Sequence, residues 1–163
     1  MLDRDQEVIV PIRIVIVSGG FDPPHEGHLK LFEEAKKLGD MLYVIINNDN
    51  WIMKKRKKES FYKEQTRLKL IGKNRDVSVV MLSQHTKNTQ DMSVCKELLY
   101  IKQITQRFKN EPVPNLIFAN GGDRKKDNIP EYKLCEELGI EMGFNVGGEK
   151  IESSSALIER VGK

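Results

Sequence analysis

The chain has 163 residues, of which 39% are hydrophobic and 31% are charged, and its formal net charge at pH 7 is +3. This length predicts one domain over residues 1–163, with a core from about 12 to 161. The mild charge gives no argument for nucleic-acid binding, and no apolar run approaches the roughly 20 residues that cross a bilayer.

The N-terminus and the cysteines indicate the compartment. Residues 1–7 lack the basic-then-apolar order of a secretory signal peptide. Cys95 and Cys135 fall in helical patterns, with neither a paired spacing nor a Cys–His cluster, which favours buried free thiols over a disulfide or a metal site. We therefore expect a cytoplasmic protein with no membrane partner.

The start of the chain predicts a strand, a helix and a second strand. A run rich in Val and Ile forms the first strand from about Ile12 to Val17, because Pro11 is poorly tolerated inside a central strand. A helix follows from about Gly27 to Leu38, with Gly39 as its C′ residue. Met41 to Ile46 is the second strand, so the unit is a right-handed parallel crossover.

A basic stretch follows the second strand. Residues 51–59 contain five consecutive cationic residues, Lys54 to Lys58, which are typical of a solvated loop. The alternative is that one or two of these lysines close over phosphates as mobile charges. A helix is then predicted over about Phe61 to Ile71 and a strand over Val77 to Leu82. We expect His85, in the polar loop that follows, to be surface-exposed.

The rest of the chain continues the alternation. A helical pattern runs from Asp91, a candidate N-cap, to about Phe108. Leu116 to Ala119 predicts a short buried strand. A helix from Pro130 to Leu138, ended by Gly139, precedes a fifth strand over Ile140 to Phe144. The fold class predicted is therefore α/β and Rossmann-like, with a five-stranded, mostly parallel sheet and helices on both faces.

The turn after the first strand carries the clearest chemistry. It reads Ser-Gly-Gly-Phe-Asp-Pro-Pro-His-Glu-Gly-His from Ser18 to His28. Gly19 and Gly20 let the backbone come close to a ligand, and the next helix offers free N–H groups to a phosphate. His25 and His28 are three positions apart and can face the same anion. We predict a phosphate-handling turn at the carboxyl edge of the sheet, where such sheets bind ligands.

Two further elements are expected at the same edge. Residues 120–124, Asn-Gly-Gly-Asp-Arg, follow the fourth strand, and Ser153 to Ser155 open the last helix. The serines have a purely structural N-cap role as their alternative. Three phosphate-capable elements at equivalent strand ends suit a nucleoside triphosphate. The chain has no P-loop, no Gly-x-Gly-x-x-Gly fingerprint and no Gly-x-Ser-x-Gly elbow.

These motifs carry a family resemblance. His25-Glu26-Gly27-His28, with the lead-in Gly19 to Asp22, resembles the His-x-Gly-His signature of the nucleotidyltransferase (cytidylyltransferase-like) superfamily. Residues 120–131 are similar to the second nucleotide-binding segment of its sugar-phosphate and glycerol-3-phosphate cytidylyltransferases, and residues 150–155 to its C-terminal Ile-Ser-Ser/Thr-Ser/Thr motif. The resemblance extends from Ile14 to Val161.

The resemblance implies transfer of a nucleoside monophosphate. A phosphate oxygen of the acceptor attacks the α-phosphorus of CTP or ATP in line, and pyrophosphate leaves. The implied catalytic residues are His25, His28, Lys55 and Arg75, with Mg²⁺ bridging the phosphates. Lys57 is the next candidate for the phosphate-contacting lysine. The implied nucleotide-binding residues are Gly19, Gly20, Phe21, Asp22, Lys57, Arg67, Gly121, Asp123, Arg124, Lys150, Ser153, Ser154 and Ser155.

The acceptor and the base stay open at this point. The leading hypothesis is transfer of CMP from CTP to a sugar- or polyol-phosphate. Gly20, Pro23-Pro24 and the Gly-Gly-Asp-Arg segment depart from the glycerol-3-phosphate enzymes and look closer to enzymes that activate heptose phosphates. The alternatives are therefore an adenylyltransferase that uses ATP, and a nucleotide-binding module without turnover. We expect a homodimer and no nucleic-acid partner, since no aromatics are interleaved with Lys54 to Lys58.

Overall fold

The computed structural model describes residues 10–106, 112–122, 124–148 and 158. Every strand pair in it is parallel, and the strand order is β3-β2-β1-β4-β5. The α/β, Rossmann-like fold with a five-stranded parallel sheet is therefore confirmed. The strands are β1 (Arg13–Gly19), β2 (Met41–Ile46), β3 (Val79–Leu82), β4 (Asn115–Gly121) and β5 (Glu141–Val146).

Helices cover both faces of this sheet. Phe32 of α1 and Ile71 of α3 pack on one face, whereas Leu98 of α4 and Cys135 of α5 pack on the other. Ile14 to Val17 of β1 are buried between the two layers, as expected for a central parallel strand. None of the helices in the described ranges is long and apolar enough to cross a membrane. The helices are α1 (Glu26–Lys36), α2 (Asp49–Arg56), α3 (Glu64–Gly72), α4 (Cys95–Thr105) and α5 (Tyr132–Leu138), with a 3-10 turn at Lys126–Asn128.

The strand order fixes the place where a ligand can bind. From β1 the chain moves outward through β2 and β3, and it then returns to the other side of β1 to add β4 and β5. The direction of the connections therefore reverses between β1 and β4, and open α/β sheets bind ligands at the carboxyl ends of such a strand pair. β1 ends at Gly19 and β4 ends at Gly121, so both predicted glycine turns border this crevice.

Most of the basic run is helical, and the predicted loop is wrong. The Asn48 side chain caps α2 by accepting the N–H of Trp51 at 3.0 Å. Ile52 is fully buried, and Lys57 closes the helix in the left-handed conformation with φ of 61°. Lys and Arg are good helix formers, so the cap and the tertiary contacts of Ile52 and Arg56 order this charged segment as a helix.

Gly39 has a different role from the one predicted. The helix α1 ends with Lys37 as its C-cap, and Gly39 lies beyond it in an ordinary conformation. A Cβ atom at Gly39 would stand 2.7 Å from the carbonyl oxygen of Arg13. The glycine therefore permits close approach to β1 rather than terminating the helix.

The segment between β3 and α4 also corrects two predictions. His85 is buried, not exposed, with Nδ1 at 2.7 Å from Ser83 Oγ and Nε2 at 2.9 Å from the Ser93 carbonyl oxygen. Asp91 is not the N-cap of α4, because that position belongs to Val94. The Asp91 carboxylate instead accepts the N–H of Ser93 at 2.9 Å and shapes the turn before the helix.

Candidate active site

His25 and His28 stand side by side in the first turn of α1. Nδ1 of His25 accepts the N–H of Gly27 at 3.0 Å, and Nδ1 of His28 accepts the N–H of His25 at 3.2 Å. The two rings stack with their centroids 3.6 Å apart. Because each Nδ1 accepts a hydrogen bond, each neutral ring carries its proton on Nε2. The helix cap therefore fixes both histidines as Nε2–H donors, which suit phosphate oxygens.

The ring of Phe21 packs against His28 of this pair. Phe21 is buried in the left-handed conformation, with φ of 50°. Its ring folds back over Gly19, where an added Cβ would come within 2.9 Å of it. The ring also meets those of His28 and Phe32 edge-on, at centroid distances of 4.9 and 5.3 Å. Phe21, which the resemblance assigned to nucleotide binding, packs against the rings of His28 and Phe32.

Asp22 ties the histidine turn to the segment after α2. Its carboxylate is fully buried and accepts the backbone N–H groups of Phe61 and Tyr62 at 2.6 Å each. Arg56 adds a 3.0 Å ion pair to that carboxylate and a 3.0 Å hydrogen bond to the Asp22 carbonyl. The Asp22 side chain thus holds the turn in place through protein partners.

Arg67 is the buried cation behind the turn. It has no exposed surface, and its Nη1 donates to the carbonyl oxygens of Gly20 at 2.7 Å and Asn47 at 2.5 Å. Its Nη2 pairs with Asp49 Oδ1 at 2.8 Å. Burial acts to raise the pKa of Asp49, but the hydrogen bonds from Arg67 and Ser60 outweigh burial and hold that pKa below its usual value. Arg67 therefore joins the ends of β1 and β2.

The structure separates the two candidate lysines. Trp51 and Lys55 lie one helical turn apart on the same side of α2, and the Trp51 ring borders the histidine turn, 3.6 Å from where a Cβ at Gly20 would be. Lys57 instead lines a surface pocket together with Lys54, Lys63 and Lys87. Lys55 is thus on the side of α2 that borders the histidine turn.

The second glycine turn lies beside α1 at the same edge. A Cβ at Gly121 would meet the Leu31 side chain and the Val146 carbonyl oxygen, each at 3.3 Å, and Gly122 has φ of 62°. Gly122 favours glycine for its conformation, whereas a side chain at Gly121 would require Leu31 or the Val146 carbonyl to shift. Arg124 follows, with Nη2 3.9 Å from Glu131 Oε2.

For six further predicted site residues, the structure either shows a place away from the histidines or gives no description. Arg75 is exposed in the turn between α3 and β3. That turn lies at the amino edge of the sheet, because α3 runs back from the carboxyl edge, so within one chain Arg75 is at the wrong end for His25. The other five lie outside the described residues: Asp123, Lys150, Ser153, Ser154 and Ser155.

Sequence reasoning missed two groups of side chains near this edge. The first is the single side chain of Arg56. It lies one helical turn after the buried Ile52, and this spacing could have predicted that it faces inward. The other is a set of polar side chains buried on the α4 and α5 face. Side chains alternate between the two faces of a strand, so Asn120, two residues after the buried Phe118, could have been predicted to lie on the same face. The members of this set are Asn47, Glu97, Asn120 and Glu131.

Comparison with known proteins finds relatives with several activities. A FAD synthase from Methanosarcina mazei is 29% identical over 121 residues, which are 74% of this chain and 79% of that protein. The "Bifunctional protein HldE" of Desulfatibacillum aliphaticivorans is 27% identical over 128 residues, 78% of this chain. The glycerol-3-phosphate cytidylyltransferase of Bacillus subtilis is 52% identical over 44 residues, 27% of this chain and 34% of that protein. The chain spans only 22% of the bifunctional protein and 48% of the FAD synthase of Methanosphaerula palustris.

A solved structure and a family model agree with the fold. The crystal structure of the lipopolysaccharide core biosynthesis protein from Thermoplasma volcanium matches with a TM-score of 0.57 and 25% identity, over 82% of this chain and 93% of that one. A family model described as "Cytidylyltransferase-like" matches residues 16–144, which include both glycine turns and the histidine pair. The resemblance found in the motifs is confirmed: the chain belongs to the cytidylyltransferase-like family of nucleotidyltransferases.

Proposed function

We propose that the protein transfers CMP from CTP to a sugar- or polyol-phosphate and releases pyrophosphate. The observation that supports this most directly is the His25–His28 pair. Its two Nε2–H donors stand at the N-terminus of α1, beside the crevice between the ends of β1 and β4. Two N–H donors and a helix N-terminus together suit a polyphosphate at this point.

The proposed reaction is an in-line displacement at the α-phosphorus. A phosphate oxygen of the acceptor forms the new P–O bond, and the bond from the α-phosphorus to the bridging oxygen of pyrophosphate breaks. The attacking oxygen is already ionised, so no general base is needed. His25 and His28 would donate to the α-phosphate oxygens and the bridging oxygen, where charge builds up in the transition state. Catalysis is then positioning and charge stabilisation.

Cations complete this proposal. Hydrogen bonds from the two histidines alone would leave most of the charge of the triphosphate to be balanced by other groups. Lys55 is on the right side of α2 for this role. A divalent ion, Mg²⁺ by expectation, would bind through the phosphates and water and neutralise charge on them. From the resemblance, we assign Lys150 and the serines at 153–155 to the β- and γ-phosphates, and Gly121, Asp123 and Arg124 to the nucleoside.

ATP is the second candidate donor. The FAD synthase of Methanosarcina mazei covers 74% of this chain, whereas the glycerol-3-phosphate cytidylyltransferase covers 27%. The name FAD synthase implies a product that contains an adenylyl group, so transfer of AMP to a phosphorylated acceptor such as a heptose phosphate is the alternative reaction. A nucleotide-binding module without turnover is the third reading.

Pyrophosphate release tests these readings. CTP, ATP, UTP and GTP are each incubated with Mg²⁺ and a panel of sugar and polyol phosphates. We expect release with CTP; release mainly with ATP would favour the adenylyltransferase. If no pair reacts, nucleotide binding is measured by the fluorescence of Trp51, the one tryptophan of the chain, which borders the histidine turn. Binding without turnover would support the module.

His28→Ala tests the assigned mechanism. We expect kcat to fall by about 10²–10³-fold, as when one oxyanion donor is removed. The lost capping bond to the His25 N–H should cost only about 1 kcal/mol of stability, so circular dichroism should still show a folded protein. The control is Glu33→Ala, an exposed position on α1, which should retain activity. Near-normal turnover by His28→Ala would contradict the mechanism.

A further inference from the structure

Four buried side chains each keep one oxygen without a hydrogen-bond partner among the described residues. They form what we call the amide–carboxyl cluster: Asn47 Oδ1, Glu97 Oε2, Asn120 Oδ1 and Glu131 Oε2. Their exposed fractions are only 2 to 5%. Leaving a buried polar atom unpaired costs about 1–3 kcal/mol, so four such oxygens point to a function that uses them.

The two asparagines lie on the same face of the sheet. Side chains alternate along a strand. Ile45 belongs to the core under α4 and α5 and Ile46 to the opposite core, so Asn47 returns to the α4 and α5 face. Phe118 and Ala119 alternate in the same way, so Asn120 returns to it as well. Both asparagines come at the carboxyl ends of strands that flank β1.

The two glutamates lie at the same edge on that face. Glu97 is in the first turn of α4 and Glu131 is the N-cap residue of α5. Those helices follow β3 and β4, so both begin at the carboxyl edge of the parallel sheet. All four members therefore lie at the carboxyl edge, under the first turns of α4 and α5.

In three of the four groups, protein contacts hold one end of the side chain and leave the oxygen named above unpaired within the described ranges. Glu97 Oε1 accepts the N–H of Gln84 at 2.8 Å, and Glu131 Oε1 accepts the N–H of Val94 at 2.9 Å. The Asn120 amide donates to two carbonyl oxygens, of Phe118 and Gly143, each at 3.3 Å. These bonds orient the groups. Because the remaining atom of each is an oxygen that accepts hydrogen bonds, its partner must be a hydrogen-bond donor.

We propose, on the basis of the proposed function, that the amide–carboxyl cluster binds the hydroxyl groups of the phosphorylated acceptor. Every unpartnered atom in it is an oxygen that accepts, and hydroxyl groups of a sugar or polyol supply O–H donors. A cationic donor is disfavoured, because two of the oxygens belong to neutral amides and Glu131 Oε2 already has Arg124 at 3.9 Å. The acceptor is therefore a polyhydroxylated phosphate ester.

This placement agrees with the direction of attack. The histidines sit on α1, which packs on one face of the sheet, and the amide–carboxyl cluster lies on the other. The nucleotide phosphates and the acceptor skeleton would then flank the end of β1. Because the histidines would donate to the bridging oxygen of the leaving pyrophosphate, the acceptor phosphate would have to reach the α-phosphorus from the opposite side, away from α1.

Matched acceptors test the proposal in the intact protein. The pairs are ribose 5-phosphate with 2-deoxyribose 5-phosphate, and glycerol 3-phosphate with propyl phosphate, each measured as kcat/KM with the preferred nucleotide. We expect at least tenfold preference for the hydroxylated member of the better pair, because a site built for a hydroxyl group rejects its deoxy analogue. Preference below twofold in both pairs would overturn the proposal.

Isosteric variants show whether the cluster causes that preference. Glu97→Gln and Glu131→Gln can keep the carbonyl that accepts the backbone N–H but put an NH₂ donor in place of the unpartnered oxygen. Each should reduce the preference at least fivefold and leave nucleotide binding, read by Trp51 fluorescence, within twofold. The control Glu137→Gln is exposed on α5 and should change neither. Variants that unfold more easily but keep the full preference would show a purely structural role.

Failure of the proposed function is distinguishable from failure of this inference. If no nucleotide releases pyrophosphate, the proposed function is wrong, and the same pairs are compared by calorimetric binding. Tighter binding of the hydroxylated member, lost in Glu97→Gln, supports the inference. Equal binding of both members, or no measurable binding of either, overturns it.

Discussion

Arg67 illustrates how a buried charged residue can support the histidine turn through protein contacts alone. Its guanidinium has no exposed surface and joins Gly20, Asn47 and Asp49 behind the histidine turn. A buried cation is stable only when it is fully paired. The motif assigned Arg67 to the nucleotide; its contacts in the structure are with protein groups that position the histidine turn.

Replacing Arg67 should give a pH-dependent loss of stability. Arg67→Met leaves the Asp49 carboxylate without its ion pair, which should cost about 3 kcal/mol at pH 7. The folded pKa of Asp49 lies below its usual value, so the stabilisation is complete above about pH 4 and is lost as the pH falls through the folded pKa. Urea unfolding of both proteins between pH 7 and pH 3 should show the difference shrinking, and a constant difference would contradict this account.

The three sides of α2 face the protein core, the histidine turn and a surface pocket. Ile52 and Arg56 face inward, toward the core and Asp22. Lys55 shares a side with Trp51, which borders Gly20. The last side carries Lys54 and lines the surface pocket with Lys57. Because Arg56 pins the helix to the histidine turn, these sides keep fixed directions, and neighbouring lysines acquire different roles.

Lysine substitutions on α2 should therefore have unequal effects. We expect Lys55→Gln to lower kcat/KM for the nucleotide by about 10²-fold, as when one charged transition-state contact is lost. Lys57→Gln, on the pocket side, should change it less than threefold. Steady-state kinetics at constant ionic strength make the comparison. A larger effect at Lys57 would mean that α2 turns on binding the nucleotide.

Alanine should have opposite effects at Gly39, which packs closely against β1, and at Gly72, which has space around it. Gly39→Ala would place a Cβ 2.7 Å from the Arg13 carbonyl oxygen and 2.8 Å from Val15 Cγ2, so we expect destabilisation by about 1–3 kcal/mol. Gly72→Ala, at the end of α3, would meet only Val80 Cγ2 at 3.5 Å and should be neutral or stabilising by up to about 1 kcal/mol. Urea unfolding measures both, and equal effects would contradict the packing argument.

For the whole molecule, the parts predicted from sequence are those that depend on local pattern. Apolar runs located every strand, and Met41 to Ile46 was bounded correctly, because buried parallel strands are continuously apolar. The histidine turn was found because its motif is contiguous. Contacts between distant segments could not be predicted from a local pattern. The pairing of Asp22 with Arg56, the burial of His85 and the distance of Arg75 from the histidines all depend on tertiary structure. The homodimer stays a prediction.

Cys135 should report on the integrity of the whole fold. Both cysteines are free thiols, and Cys135 is buried in the core under α5. Burial, followed by the nearby Glu131, raises the pKa of its thiol to about 12, so almost no thiolate exists at neutral pH. We expect labelling by iodoacetamide to follow global unfolding in urea, and the variant Cys95→Ser isolates the Cys135 signal. Fast labelling without urea would contradict the burial.

The central position of β1 has a consequence for how the chain acquires its site. β1 pairs with β2 across a short crossover, but its other neighbour, β4, arrives about a hundred residues later, since Arg13 pairs with Asn115. Closing so long a loop is slow. During synthesis the histidine turn therefore emerges early, beside an open strand edge that is prone to pairing with other chains. The crevice between β1 and β4 exists only after β4 has docked. A nucleotide that binds there would therefore bind only the folded protein and would stabilise it.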